Sequence, residues 1–317
     1  MTTTRRQLWV LVLLTLVWGL NWPVMKIGVS GTAAQPLAFP PLTFRALSML
    51  LGLPVLAGAM LLLKIPLRLP RAHWGETLRL TLSNLVVWHI IVIVAVQHLS
   101  SGRAAILGYS MPIFAALWGV LLFGDRFTLR QGIGVLASGV GILLLLAHEF
   151  GKLSGAPLAA GAVLFAACVW AYGTHKLRRS TLPVHVLTIV FWMTTITAGV
   201  VSVLALLLEP ARWIAPQPHV GWAIAYNAIA VFGFAHAAWF YLARSMPPVA
   251  SSISVMMIPV LGTFLGAWLL DEALHWQDFA AMVLMVVAIA AVLLKPAAGA
   301  AVATSAAAAP PAAGTGR

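Results

Sequence analysis

Between residues 8 and 294 the sequence is a succession of ten long apolar runs that carry almost no charge. Most come close to the roughly 20 residues an α-helix needs to cross about 30 Å of hydrocarbon. Only 8% of the 317 residues are charged and 62% are hydrophobic, whereas soluble domains carry about 25% charged residues. Such a chain cannot assemble a water-facing shell. It is predicted to be an all-α integral membrane protein with ten transmembrane helices.

The formal charge of +12 raises the question of a nucleic-acid partner, and its distribution excludes one. With Arg5 and Arg6 placed in the cytoplasm, fourteen Lys and Arg residues fall on the cytoplasmic side. Four, Lys26, Arg103, Lys152 and Arg212, fall on the other, and Arg45 lies within a run. That is the positive-inside bias of a multi-pass protein, and it places both termini in the cytoplasm. The charge orients the chain in its partner, the lipid bilayer. The first run is longer than a signal-peptide core, and its Trp18, Asn21, Trp22 and Pro23 suit a retained helix. A single cysteine, Cys168, permits neither an intrachain disulfide nor a cysteine-based metal site.

A second pattern is a repeat at an offset of 147 residues. Pro112 matches Pro259, Gly119 matches Gly266, Ala115 matches Gly262, His89 matches His236, and the acidic Asp125 matches Glu272. A shared offset across a proline, small residues, a histidine and an acidic stop indicates internal duplication. The halves run over residues 8–147 and 157–295, joined by a short polar linker around Gly151 and Gly155. Each half holds five runs. Five is odd, so the second copy enters the membrane from the opposite face and the repeats are inverted. Residues 297–317 form an alanine-rich tail with too few large side chains to order itself.

Three local patterns then become specific. The first run reads Trp18-Gly19-Leu20-Asn21-Trp22-Pro23, and the second half reopens with Trp170-Ala171-Tyr172. The fourth run passes through Pro112 to Gly124-Asp125-Arg126, and the ninth through Pro259 to Asp271-Glu272. In order and duplicated, they resemble the EamA branch of the drug/metabolite transporter superfamily over roughly residues 8–295. The resemblance implies a secondary carrier in a bacterial inner membrane, usually an exporter of small metabolites such as amino acids. It also implies a central cavity lined by spans one, three, four, six, eight and nine. The chain departs from the family in having Asp125 rather than Glu after the fourth span. It also has Pro247-Pro248 where the first half has Ser100-Ser101.

Several residues could carry chemistry. Trp18, Asn21, Trp22 and Met25 share one helical face, where an amide between two indoles can hold a polar head and cover an apolar body. The alternative is that Asn21 bridges helices. Pro23 lacks an N–H and loosens the backbone there, which suits a gate. His89 and His236 lie deep in uncharged runs at equivalent repeat positions. They either carry protons that couple transport or bridge helices as neutral imidazoles. Trp170, Tyr226 and Trp239 are further cavity candidates. Pro112, Gly119, Pro259 and Gly266 are read as packing or gating positions, with Ala115-xxx-Gly119 and Gly262-xxx-Gly266 as close-packing motifs. Lys26 reads as snorkelling to the interface, and Arg45 as a tether to a carbonyl or phosphate, with substrate contact as the alternative for each.

No nucleotide-binding loop and no H-E-x-x-H motif is present, and no Asp or Glu lies within a span. No cofactor or metal is expected, and oligomeric state is not readable. The leading expectation is an exporter of small amphiphilic metabolites working by alternating access. A translocator of toxic or lipid-linked compounds is the alternative, and a membrane-embedded enzyme the remote one.

Overall fold

The computed structural model describes residues 5–31, 37–124, 128–151, 156–245 and 248–293; Asp125 and the tail at 297–317 lie outside the described residues. Every regular element among the described residues is a helix. In chain order these are α1 (Arg5–Val29), α2 (Pro41–Leu62), α3 (Arg71–Ala95), α4 (Ser101–Phe123) and α5 (Leu129–Gly151). The second half supplies α6 (Pro157–Arg178), α7 (Val186–Leu208), α8 (Pro218–Trp239, helical on to Ser245), α9 (Pro248–Leu270) and α10 (Trp276–Leu293). The first eight are long and apolar enough to cross a bilayer. The last two contribute shorter apolar stretches, Met257–Leu270 and Trp276–Ala291.

Several helices start where the sequence supplies proline or a carboxylate. Pro41, Pro157 and Pro218 stand in the first turns of α2, α6 and α8, where a missing N–H costs nothing. Glu209 accepts from the Leu42 and Thr43 amides at 2.9 and 2.7 Å, holding the start of α2 from the far half of the chain. Leucines in mid-helix remain open to the surroundings, Leu136 at 71% and Leu143 at 65% exposure, as a lipid-facing surface requires.

Helix packing follows the duplication. α1 lies along α9, and its counterpart α6 lies along α4. α2 lies against α8, and α7 against α3. The equivalent helices α5 and α10 pack on each other, as do α2 and α7. Exchanging the two halves maps each of these pairings onto another or onto itself.

Three irregularities break the regular ladder. α4 is interrupted at Tyr109 and Ser110, immediately before Pro112, whereas Pro259 sits inside a continuous α9. α3 and α8 each widen into π-helix, at Leu82–Val86 and Asn227–Ala235. Shifted by 147 residues, the first π segment falls inside the second. In both, an asparagine side chain takes a carbonyl of the preceding turn: Asn84 Nδ2 donates to the Leu80 oxygen at 2.9 Å, and Asn227 Nδ2 to the Ala223 oxygen at 3.1 Å. A side chain inserted into the ladder in this way is a recognised cause of a widened turn, and such turns gather at functional sites. Glycines let neighbours close on them. A Cβ on Gly173 of α6 would come within 2.6 Å of Asn84 Nδ2, and one on Gly52 of α2 within 2.9 Å of the Ala228 oxygen.

Candidate functional site

The two π segments lead directly into the two histidines. His89 follows one on α3 and His236 follows the other on α8. Both imidazoles meet the ring of Phe232, with centroids at 5.5 Å for His89 and 5.4 Å for His236. His236 Nδ1 is 2.9 Å from the Val231 carbonyl inside the widened turn. His89 is only 6% exposed, and neither of its ring nitrogens has a partner. Arg45 approaches the same ring from α2, its guanidinium carbon 5.7 Å from the centroid. The structure thus brings three chemistry-bearing side chains, His89, His236 and Arg45, around Phe232, with Asn227 accepting from Arg45 at 3.3 Å.

The aromatic candidates fall into two groups. Trp22 of α1 is buried and meets Trp88 of α3 and Tyr109 of α4 edge-on, both at 6.4 Å. Trp88 in turn meets Trp170 of α6 at 5.2 Å, so one aromatic chain links α4, α1, α3 and α6. The second group ties α1 to α8. Trp18 lies 5.6 Å from Trp239, and the Tyr226 hydroxyl donates to the Val17 carbonyl at 2.7 Å. Asn21 stands between these groups in sequence, with its Oδ1 unpartnered. Pro23 is buried inside α1, which continues unbroken past it.

α4 and α9 cross at small residues. A Cβ on Gly102 would come within 2.9 Å of Thr263 Cα, and one on Gly262 within 3.0 Å of Ala105 Cβ; one on Gly266 would run into Ser101 Oγ. Gly119 is buried in α4. The end of the bundle beyond this crossing, the Glu272 end, is tied by polar contacts between halves. Glu272 accepts from the Ser101 amide at 2.8 and 3.0 Å and from its hydroxyl at 2.7 Å. Arg103 and Asp278 form a buried ion pair at 2.7 Å. Within the first half, Lys26 Nζ donates to the Gln97 and Leu99 carbonyls, each at 2.9 Å. Lys26 therefore closes the end of α3 and does not simply snorkel. Arg45 reaches the side-chain carbonyl oxygen of Asn227 and the Met25 thioether, as a tether between helices would. A small surface cavity bordered by Ser30, Phe39, Ile214 and His219 lies at this end, apart from the histidines.

Sequence reasoning singled out His89, His236 and Trp22, and missed Phe232, Trp88 and Tyr109. It also missed Glu209, Arg103 and Asp278 as ties between the halves. An aromatic residue four positions before His236 was the available signal, because i and i+4 share a helix face. Among the described residues no group of three or more His, Cys, Asp or Glu is placed to hold a metal ion.

The comparisons with known proteins agree with this architecture. The chain is 29% identical over 283 residues to the Escherichia coli K12 protein named Uncharacterized inner membrane transporter YedA, covering 86% of each. It is 22% identical over 256 residues to Uncharacterized transporter YoaV of Bacillus subtilis, covering 80% of this chain and 85% of the relative. It is 23% identical over 259 residues to a Probable terminal-alkyne amino-acid exporter of Streptantibioticus cattleyicolor, covering 80% and 82%. A solved structure titled Crystal structure of protein superposes with a TM-score of 0.64 at 22% identity, over 89% of this chain and 96% of that one, and shares the fold. The profile of the EamA-like transporter family matches twice, over residues 6–147 and 153–294, and the chain belongs to that family.

Proposed function

We propose that this transporter is a secondary exporter of small amphiphilic metabolites, amino acids among them. It works by alternating access between two inverted five-helix halves that span an inner membrane ten times, with both termini cytoplasmic. The observation that carries this reading is the exchange symmetry of the helix packing. α1 on α9 and α6 on α4 are the same contact made twice, so closing one end of the bundle and opening the other are related motions. The Glu272 end, external by the charge count, is held by Glu272, Lys26 and the Arg103–Asp278 pair. The mid-depth side chains Trp18, Asn21, Trp22, His89, Trp170, Tyr226, His236 and Trp239 then serve as the pocket, and His89 and His236 as the candidates for proton coupling. Pro112 supports a gating role, because α4 breaks beside it.

Export by a relative named as a probable amino-acid exporter supports the substrate class at 23% identity. The test is a substrate-panel efflux assay in cells that overexpress the chain. Faster efflux of amino acids or related amphiphiles supports the reading. Resistance to toxic compounds with unchanged metabolite efflux would favour the toxic-compound translocator instead.

A further inference from the structure

Arg45 lies on α2 one turn after its first residue, and its side chain is 2% exposed. A guanidinium remains protonated throughout the range proteins experience, so a full positive charge sits inside the bundle. Its compensation is thin. Nη1 donates to Asn227 Oδ1 at 3.3 Å, Nη2 abuts the Met25 thioether, and Nε has no partner. No carboxylate of the described residues pairs with it. Glu209, which caps the start of the same helix, is engaged by Leu42 and Thr43 instead. His89 touches the same Phe232 ring from α3 with both nitrogens unpartnered. A fully structural buried cation would be expected to carry a counter-ion, because unpaired buried charge is costly. Here the fixed counter-ion is missing, and unused donors stand beside the charge.

We propose that Arg45, with His89 beside it, is the recognition site for the carboxylate of the transported molecule. Two guanidinium N–H groups match the two oxygens of a carboxylate, and an imidazole N–H can donate to a remaining lone pair. The site selects small carboxylic acids and zwitterions over cations and neutral amides. The assignment rests on the metabolite-transporter reading for its substrate and on Arg45's surroundings for its chemistry.

The experiment uses the purified full chain in detergent, with benzoate, benzamide and inorganic phosphate as probes at matched ionic strength. Thermal unfolding is followed by tryptophan fluorescence. In the natural protein benzoate is expected to raise the midpoint by about 2–4 °C relative to benzamide or phosphate. The gain is lost in Arg45→Met and reduced in His89→Gln. Without probe, Arg45→Met unfolds at or above the natural midpoint, because an unpaired charge has been replaced by an apolar chain of similar length. Equal effects of benzoate and benzamide in the natural protein overturn the proposal, and that comparison needs no variant. So does a phosphate effect equal to that of benzoate, and so does benzoate protection that survives Arg45→Met. An Arg45→Met chain that fails to fold marks a structural tether and also overturns it. Arg45-dependent benzoate protection in a chain that exports nothing would leave the site standing and remove the exporter reading. Equal export of carboxylates and their amides would do the reverse.

Discussion

Removing the Glu272 carboxylate is expected to loosen one end of the bundle by a measurable factor. Glu272 accepts from the amide and hydroxyl of Ser101 at 2.7–3.0 Å, holding the start of α4 to the end of α9. Loss of a side-chain cap at a helix start costs about 0.5–2 kcal/mol, and a hydrogen bond to a charged group contributes about 1.5–3 kcal/mol. The carboxylate is only half-buried, so water recovers part of this and a total of about 1–3 kcal/mol is the sensible range. At about 1.4 kcal/mol per tenfold change, the open form of this end gains roughly 5- to 150-fold in population. Thr263 reports the change, since it is 1% exposed and lies against Gly102 at the α4–α9 crossing. In a Cys168→Ser background, Thr263→Cys is labelled in whole cells with a membrane-impermeant maleimide. When opening is faster than labelling, the rate follows the open population. Glu272→Ala should raise that rate within the stated range, and Glu272→Gln, which keeps one oxygen acceptor, should raise it less. Equal labelling with and without the carboxylate, in protein of normal membrane yield, would refute the reasoning.

Cysteine labelling after residues 125 and 272 should find the two positions on opposite faces of the membrane; finding both on one face would reject the inverted arrangement. His89→Gln and His236→Gln should flatten the pH dependence of export if the histidines carry protons. Reduced stability with an unchanged pH profile of the remaining activity would identify them as bridges between helices. Gly266→Leu should lower the yield of folded protein, because the side chain runs into Ser101 and Glu272 and overpacking typically costs about 1–3 kcal/mol; undiminished yield and transport would reject the packing role.

The apolar runs located the helices because in lipid the backbone must satisfy itself locally, which leaves a helix as the simplest solution. The 147-residue offset identified His89 with His236, and both meet Phe232. Other features depend on competition that a sequence pattern does not display. Pro112 and Pro259 look alike in sequence, yet α4 breaks beside the first and α9 runs through the second. The difference lies in the neighbours each helix must pass. Each π segment has an asparagine amide taking a carbonyl and a glycine of an adjacent helix packed close against it, Gly173 on Asn84 and Gly52 on Ala228; neither residue alone signals a widened turn. Lys26 was ambiguous for a similar reason. A lysine near a helix end can reach water or a neighbouring helix, and only the position of the Gln97 and Leu99 carbonyls decides it.

In the proposed orientation, the charge bias and the gate draw on the same charges, which makes the two ends of the transporter unequal. Positive-inside bias leaves Lys and Arg concentrated at the Lys64 end and leaves Glu209, Glu272 and Asp278 at the other. Carboxylates can accept from the exposed N–H groups at helix starts; ammonium and guanidinium groups cannot. The Glu272 end uses this at Leu42, at Ser101 and, through Asp278, at His275. Repetition of the Ser101 tie at the Lys64 end is blocked by sequence. The position equivalent to Ser101 is Pro248, which has no N–H to donate, and the one equivalent to Ser100 is Pro247. An acidic residue survives there as Asp125, but its repeat-related backbone donor is gone. The duplication therefore supplies two similar frameworks that are tied differently: Glu272 holds the Ser101 amide at one end, while at the Lys64 end Ser180 donates to Glu76 and Trp192 to the Leu67 carbonyl.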